Sequence, residues 1–102
     1  MPLYEPAPVA TQVISRAQPI AAIAALTTSA TLLEENPDRK GAIVFNNSTA
    51  RLYLALGETA SVDAFTVPLD SEDYWQSEFG YTGTISGVWT AATGNAMITE
   101  LV

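Results

Sequence analysis

The densest group of side chains able to do chemistry is Asp70, Glu72 and Asp73. Carboxylates at alternating spacing hold calcium when the loop follows an Asp-x-Asp-x-Asp-Gly pattern. This loop lacks that pattern, so the reading is a solvated turn and no metal ligand is assigned. Glu34 and Glu35 are adjacent and would point to opposite faces of a strand, so they form no carboxylate pair there. A glycosidase needs two carboxylates roughly 5–10 Å apart flanking a cleft. No spacing among the 11 acids singles out such a pair. Lys40 stands beside Arg39 in a turn and supports no Ser-Lys dyad. The chain has no cysteine and no histidine. Disulfides, thiolate metal sites and cysteine nucleophiles are therefore excluded. So are the commonest general base near neutral pH and the commonest zinc ligand. No catalytic residue and no cofactor is assigned, and the chain reads as a binding or structural module rather than an enzyme.

The aromatics form the second concentration. Tyr74, Trp75, Phe79, Tyr81 and Trp89 fall within 16 residues. Three readings are open for them: core and strand-end packing, a protein interface, or a platform for sugars. Tyr74, Trp75, Tyr81 and Trp89 are the candidate interface residues. Base stacking needs a cationic groove that this composition does not supply.

Net charge is −7, from 11 acids against Arg16, Arg39, Lys40 and Arg51. The first 26 residues contain only Glu5 and Arg16, so the whole net charge lies on residues 27–102. Such a body is repelled by phosphate backbones and by anionic membrane surfaces, which argues against a nucleic-acid or membrane partner. The N-terminus lacks a positive region, and Pro2, Pro6 and Pro8 interrupt any apolar run, so no signal peptide is read and synthesis in the cytoplasm is expected. Residues 19–27 are too few to span a bilayer.

The elements that must position these groups divide in two. Residues 1–26 read as an extended N-terminal arm, because four of the six prolines fall in residues 1–19 and bias the chain to extended geometry. Leu3, Tyr4, Val9, Val13 and Ile14 make the arm too apolar for a solvated linker. They are expected to lie on a partner or a neighbouring subunit. Residues 20–26 lack alternation and leave one or two helical turns open.

Residues 27–102 read as seven short strands separated by turn signals, which predicts an antiparallel β-sandwich or barrel, jelly-roll-like. Residues 42–48 and 51–56 are expected to pair as a hairpin, with Leu52, Leu54 and Leu56 on one face. Residues 64–69 place Phe65, Val67 and Leu69 together, with Pro68 marking a sheet edge. Residues 27–35, 74–79, 84–90 and 96–102 complete the count, with Gly87 marking a bulge or a close approach.

Fifteen residues carry a family likeness: Arg39, Gly41, Asn46, Leu52, Tyr53, Leu56, Gly57, Gly83, Ile85, Gly87, Trp89, Thr93, Gly94, Thr99 and Glu100. They trace an Arg, a turn glycine, an apolar strand ending in Asn, then Leu-Tyr-x-x-Leu-Gly. A Gly-x-Ile-x-Gly-x-Trp segment, a Thr-Gly turn and a closing Thr-Glu follow. Over about residues 31–102 the pattern resembles small virion proteins of tailed bacteriophages. The resemblance implies a capsid decoration (cement) protein, or another small structural protein of the particle. Such proteins are typically trimers on the shell of the major capsid protein, with terminal arms on the capsid or on a neighbouring subunit. It carries over no catalytic residue. A carbohydrate-recognition module of a head or tail fibre is the alternative expectation.

Overall fold

The computed structural model describes residues 16–77 and 80–102, and the described part is all β. Eight strands appear in it: β1 (Ala21–Ala24), β2 (Ala30–Leu33), β3 (Gly41–Asn47), β4 (Leu52–Leu56), β5 (Val67–Leu69), β6 (Tyr74–Gln76), β7 (Ile85–Trp89) and β8 (Asn95–Leu101). They form two four-stranded sheets, ordered β1-β8-β3-β6 and β2-β7-β4-β5, and every pairing is antiparallel. Consecutive strands change sheet at every step except β4 to β5. This is the strand order of a jelly roll, two interlocked Greek keys.

Two sequence expectations are corrected here. Residues 42–56 are not a hairpin. β3 pairs with β6 and β8, whereas β4 pairs with β5 and β7, so the 48–51 connection crosses from one sheet to the other. Its shape is fixed by Ala50, whose N–H donates to Ser48 Oγ and whose carbonyl accepts from Asn46 Nδ2. Alternation says that a run is a strand but not which sheet it joins. Phe65 does not share the face of Leu69. It precedes the strand and packs its ring on Tyr53, with centroids 4.7 Å apart, on the outer side of the second sheet. Leu56, at the end of β4, is more exposed than Leu52 and Leu54.

Residues 21–24, open to helical turns in the sequence, form an edge strand. Ile23 packs on the core, and the backbone pairs in register with β8 from Ala21–Ile98 to Ala24–Asn95. Tertiary pairing overrides alanine's helix preference over so short a run.

The core lies between the sheets. Leu32, Leu52, Leu54, Leu69, Ile85 and Trp89 meet Ala42, Val44, Ala96 and Ile98 from the opposite side. Each large side chain buried this way contributes roughly 1.5–3 kcal/mol. Gly87 is the close approach that its position suggested. A Cβ there would stand 2.7 Å from Leu52 Cδ1 and 3.1 Å from Leu32 Cδ1. The irregularity falls on its partner strand, where β2 shifts register between Thr31 and Leu33. Pro68 sits on β5, an edge strand, as a residue without an N–H should.

Candidate functional site

Two buried polar side chains dominate the interior, and both are joints. Arg39 is 1% exposed. Its Nε donates to Glu100 Oε2 at 2.8 Å, its Nη1 to the carbonyls of Tyr81 and Gly83, and its Nη2 to the carbonyl of Glu34. One guanidinium thus ties the end of β2, the 81–83 loop and β8 together. The planar fork of five donors makes this possible, and a lysine could not reproduce it. Asn46 is fully buried at the opposite end of the sandwich. Its Nδ2 faces the carbonyls of Ala50, Leu69 and Asp70, and its Oδ1 accepts from Trp89 Nε1. Both groups are closed off from solvent and committed to joints of the fold.

The acids do not converge. Asp70 pairs with Arg51 at 2.8 Å, and that hydrogen bond pushes the exposed guanidinium upward from its ordinary pKa. Asp73 accepts the Asp70 N–H and closes the 70–73 turn from the other side. Among the described residues no group of three acids could hold a metal ion. A shallow depression of about 280 Å³ beside this turn is lined by Asn47, Ser48, Thr49, Ser71, Glu72 and Thr93. Glu72 is its one titratable side chain. A second depression, of about 320 Å³, lies at the other end near Arg16, Asn36 and Asp38.

The aromatic concentration is dispersed by the pleat. Tyr74 and Trp75 are successive on β6 and point to opposite faces, Tyr74 outward at 65% exposure and Trp75 half-buried against the core. Tyr81 is half-buried and donates its hydroxyl to the Thr84 carbonyl. Trp89 is 1% exposed, which removes it from the candidate interface residues: it fills the core, and its indole N–H is spent on Asn46. Phe79 and the arm residues Leu3, Tyr4, Val9, Val13 and Ile14 lie outside the described residues. The described aromatics of this stretch therefore make no shared platform for a sugar.

A different surface emerges from register. On the first sheet Ala42, Val44, Asn46, Ala96 and Ile98 face inward. Their neighbours must face out: Ile43, Phe45 and Asn47 on β3, and Asn95, Met97, Thr99 and Leu101 on β8. Ala22 and Ala24 of β1 and Tyr74 and Gln76 of β6 lie on the same side. The pairings set Ala22, Met97, Phe45 and Tyr74 in one row across the sheet, with Thr99, Ile43 and Gln76 in the next. No residue on this face is charged, in a chain with 15 charged residues. No described strand packs on it.

The outer face of the second sheet is treated differently. Ala60 of the 57–66 loop joins Ala55 and Val88 in a small buried cluster with Tyr53 beneath it. The loop is fixed by the Ala60 N–H on Ser29 Oγ. The chain covers this face itself, burying the Ser86 hydroxyl with no partner among the described residues. The outer face of the first sheet, half-buried at Ile43, Phe45, Met97 and Thr99, has no such loop over it among the described residues. The candidates drawn from residues 74–89 missed Phe45, Ile43, Met97 and Thr99. Residues 42–45 and 96–98 are apolar without interruption, so no alternation in the sequence marks which of their side chains face out.

Comparison of the chain with protein-family models, with curated proteins and with solved structures finds no match.

Proposed function

We propose that the chain is a non-enzymatic structural protein of a tailed-phage particle, of the capsid decoration type, which binds the shell of major capsid protein and stabilises it. The observation that carries this reading is the uncharged outer face of the first sheet, with Phe45, Met97, Ile43 and Tyr74 at its centre. From strand spacing and rise the face measures on the order of 400 Å². A stable protein interface takes about 800 Å² from each partner, so the face alone gives a weak contact. The apolar arm, Leu3 to Ile14, adds contact area within the assembly, on the shell or on a neighbouring copy. In a homotrimer three such contacts act together, the second and third being intramolecular. The mechanism is contact area rather than chemistry. Assembly takes place on the capsid surface after synthesis in the host cytoplasm, and neither nucleic acid nor membrane takes part. The resemblance across residues 31–102 supports the same reading. A fibre module for carbohydrate is the weaker one, because Trp89 is buried and Trp75 and Tyr74 look opposite ways.

Sedimentation with empty shells of the major capsid protein tests the proposal. The chain is expected in the pellet at a saturating ratio, and the loaded shells are expected to resist heat better than bare ones. A chain that stays in the supernatant at all ratios contradicts it.

A further inference from the structure

The free edge of β1 differs from the other three edges of the sandwich. β5 and β6 close their sheets with three residues each, and β5 carries Pro68. β2 is followed by Glu34 and Glu35 and is broken by its register shift. Short, charged or irregular edges resist pairing with another chain. β1 is uncharged and regular over its four residues, with Pro19 standing two residues before it. Residues 17–33 contain no charged side chain. Ala21, Ala22 and Ala24 are exposed, between Ile20 at 64% and Leu26 at 44%. Among the described residues β1 is paired on one side only, to β8.

The sequence contains a strand suited to that edge. Residues 9–14 read Val-Ala-Thr-Gln-Val-Ile: uncharged, free of proline, and β-branched at Val9, Thr11, Val13 and Ile14. The same copy cannot easily lay it there. Arg16 and Val102 exchange both backbone hydrogen bonds, Gln18 N–H donates to the Glu100 carbonyl, and Ala21–Ala24 pair with residues 95–98. The arm therefore joins the body at the Val102 end of β8, and Ile14 is roughly 25 Å of extended chain from the middle of β1. Doubling back would take a tight turn around Ser15, and residues 10–18 hold no glycine, asparagine or aspartate to make one.

We propose that residues Val9–Ile14 of a second copy of this chain add as a strand to the free edge of β1, extending the first sheet to five strands. The proposal rests on the reading of the chain as a self-assembling structural protein. Backbone hydrogen bonds supply the contact, as in other cases of strand addition. An uncharged strand on an uncharged edge lets copies of net charge −7 meet without bringing acids together. The contact is heterologous, arm of one copy to β1 of the next, so it closes into a ring when the rotation allows.

The absence of cysteine makes the test clean. Full-length Thr11→Cys and Ala22→Cys chains are mixed in equal amounts and treated with a short bismaleimide. A linked pair of one chain of each kind is expected, several-fold above the yield from Thr11→Cys mixed with Asp63→Cys, whose site is on the loop over the second sheet. A yield no higher than that control overturns the proposal. So does a chain carrying both T11C and A22C that links only within itself. Chains that link as expected but do not sediment with capsid shells would support the strand addition and remove the decoration reading.

Discussion

Trp89 donates its indole N–H to the Asn46 side-chain oxygen at 3.1 Å, between the two sheets and away from solvent. The bond orients both groups: with its oxygen on the indole, the Asn46 amide nitrogen can face only the three carbonyls of Ala50, Leu69 and Asp70. One carboxamide therefore locks the 48–51 crossing and the end of β5 to the core tryptophan. Asn46→Leu keeps the volume but strands an indole N–H and the carbonyls, each costing about 1–3 kcal/mol when left unpaired. A loss of about 3 kcal/mol in urea unfolding is expected, and a loss below 1 kcal/mol would contradict the role given to this residue.

Arg39→Lys retains the charge beside Glu100 and loses the fork. A destabilisation of about 2–4 kcal/mol is expected, since a buried pair is left incomplete. Arg39→Met should cost more, because Glu100 then keeps no cation. Equal melting temperatures for the lysine variant and the unsubstituted chain would show that the carbonyl contacts contribute nothing.

Gly87→Ala places a methyl against Leu52 and Leu32 in the middle of the core. Overpacking of this kind costs typically 1–3 kcal/mol, and both leucines have little room to withdraw. The readout is the unfolding midpoint in urea at an unchanged slope. A midpoint equal to that of the unsubstituted chain would show that the strands separate freely there.

Glu72 adopts φ of 66°, in the turn closed by the Asp73 N–H on the Asp70 carbonyl. A left-handed conformation penalises any residue with a Cβ, by roughly 1–2 kcal/mol. Glu72→Gly is therefore expected to raise stability by about 0.5–1 kcal/mol, less than the full penalty because glycine has more freedom to lose on folding. A destabilised Glu72→Gly chain would mean that the carboxylate makes a contact of greater value than the strain.

The fold class was legible because seven of the eight strands have β-branched or alternating runs bounded by turn residues. β1 was not, since alanine carries little periodic signal and only pairing with β8 makes it a strand. The sheet assignment of β3 and β4 was hidden for another reason: Asn46, which holds the crossing, is fixed by Leu69, Asp70 and Trp89, partners distant in the sequence. Likewise Arg39 and Lys40 look alike in the sequence, yet only Arg39 finds Glu100 and three carbonyls. Several residues behind the family likeness, Arg39, Asn46, Gly83, Gly87, Trp89 and Glu100, are joints of this architecture. They speak for the fold more directly than for the role. The uncharged outer face of the first sheet needed the register of β3 against β8, because both strands contain unbroken apolar runs.

Self-assembly along the first sheet would show first in the solution mass. Light scattering on the full chain should give a multiple of 10.8 kDa, with three copies expected. Ala24→Lys places a charge at an exposed position on the β1 edge and should lower the mass to that of one copy without shifting the melting temperature. A full chain of 10.8 kDa at every concentration, or an assembly indifferent to Ala24→Lys, would contradict the account.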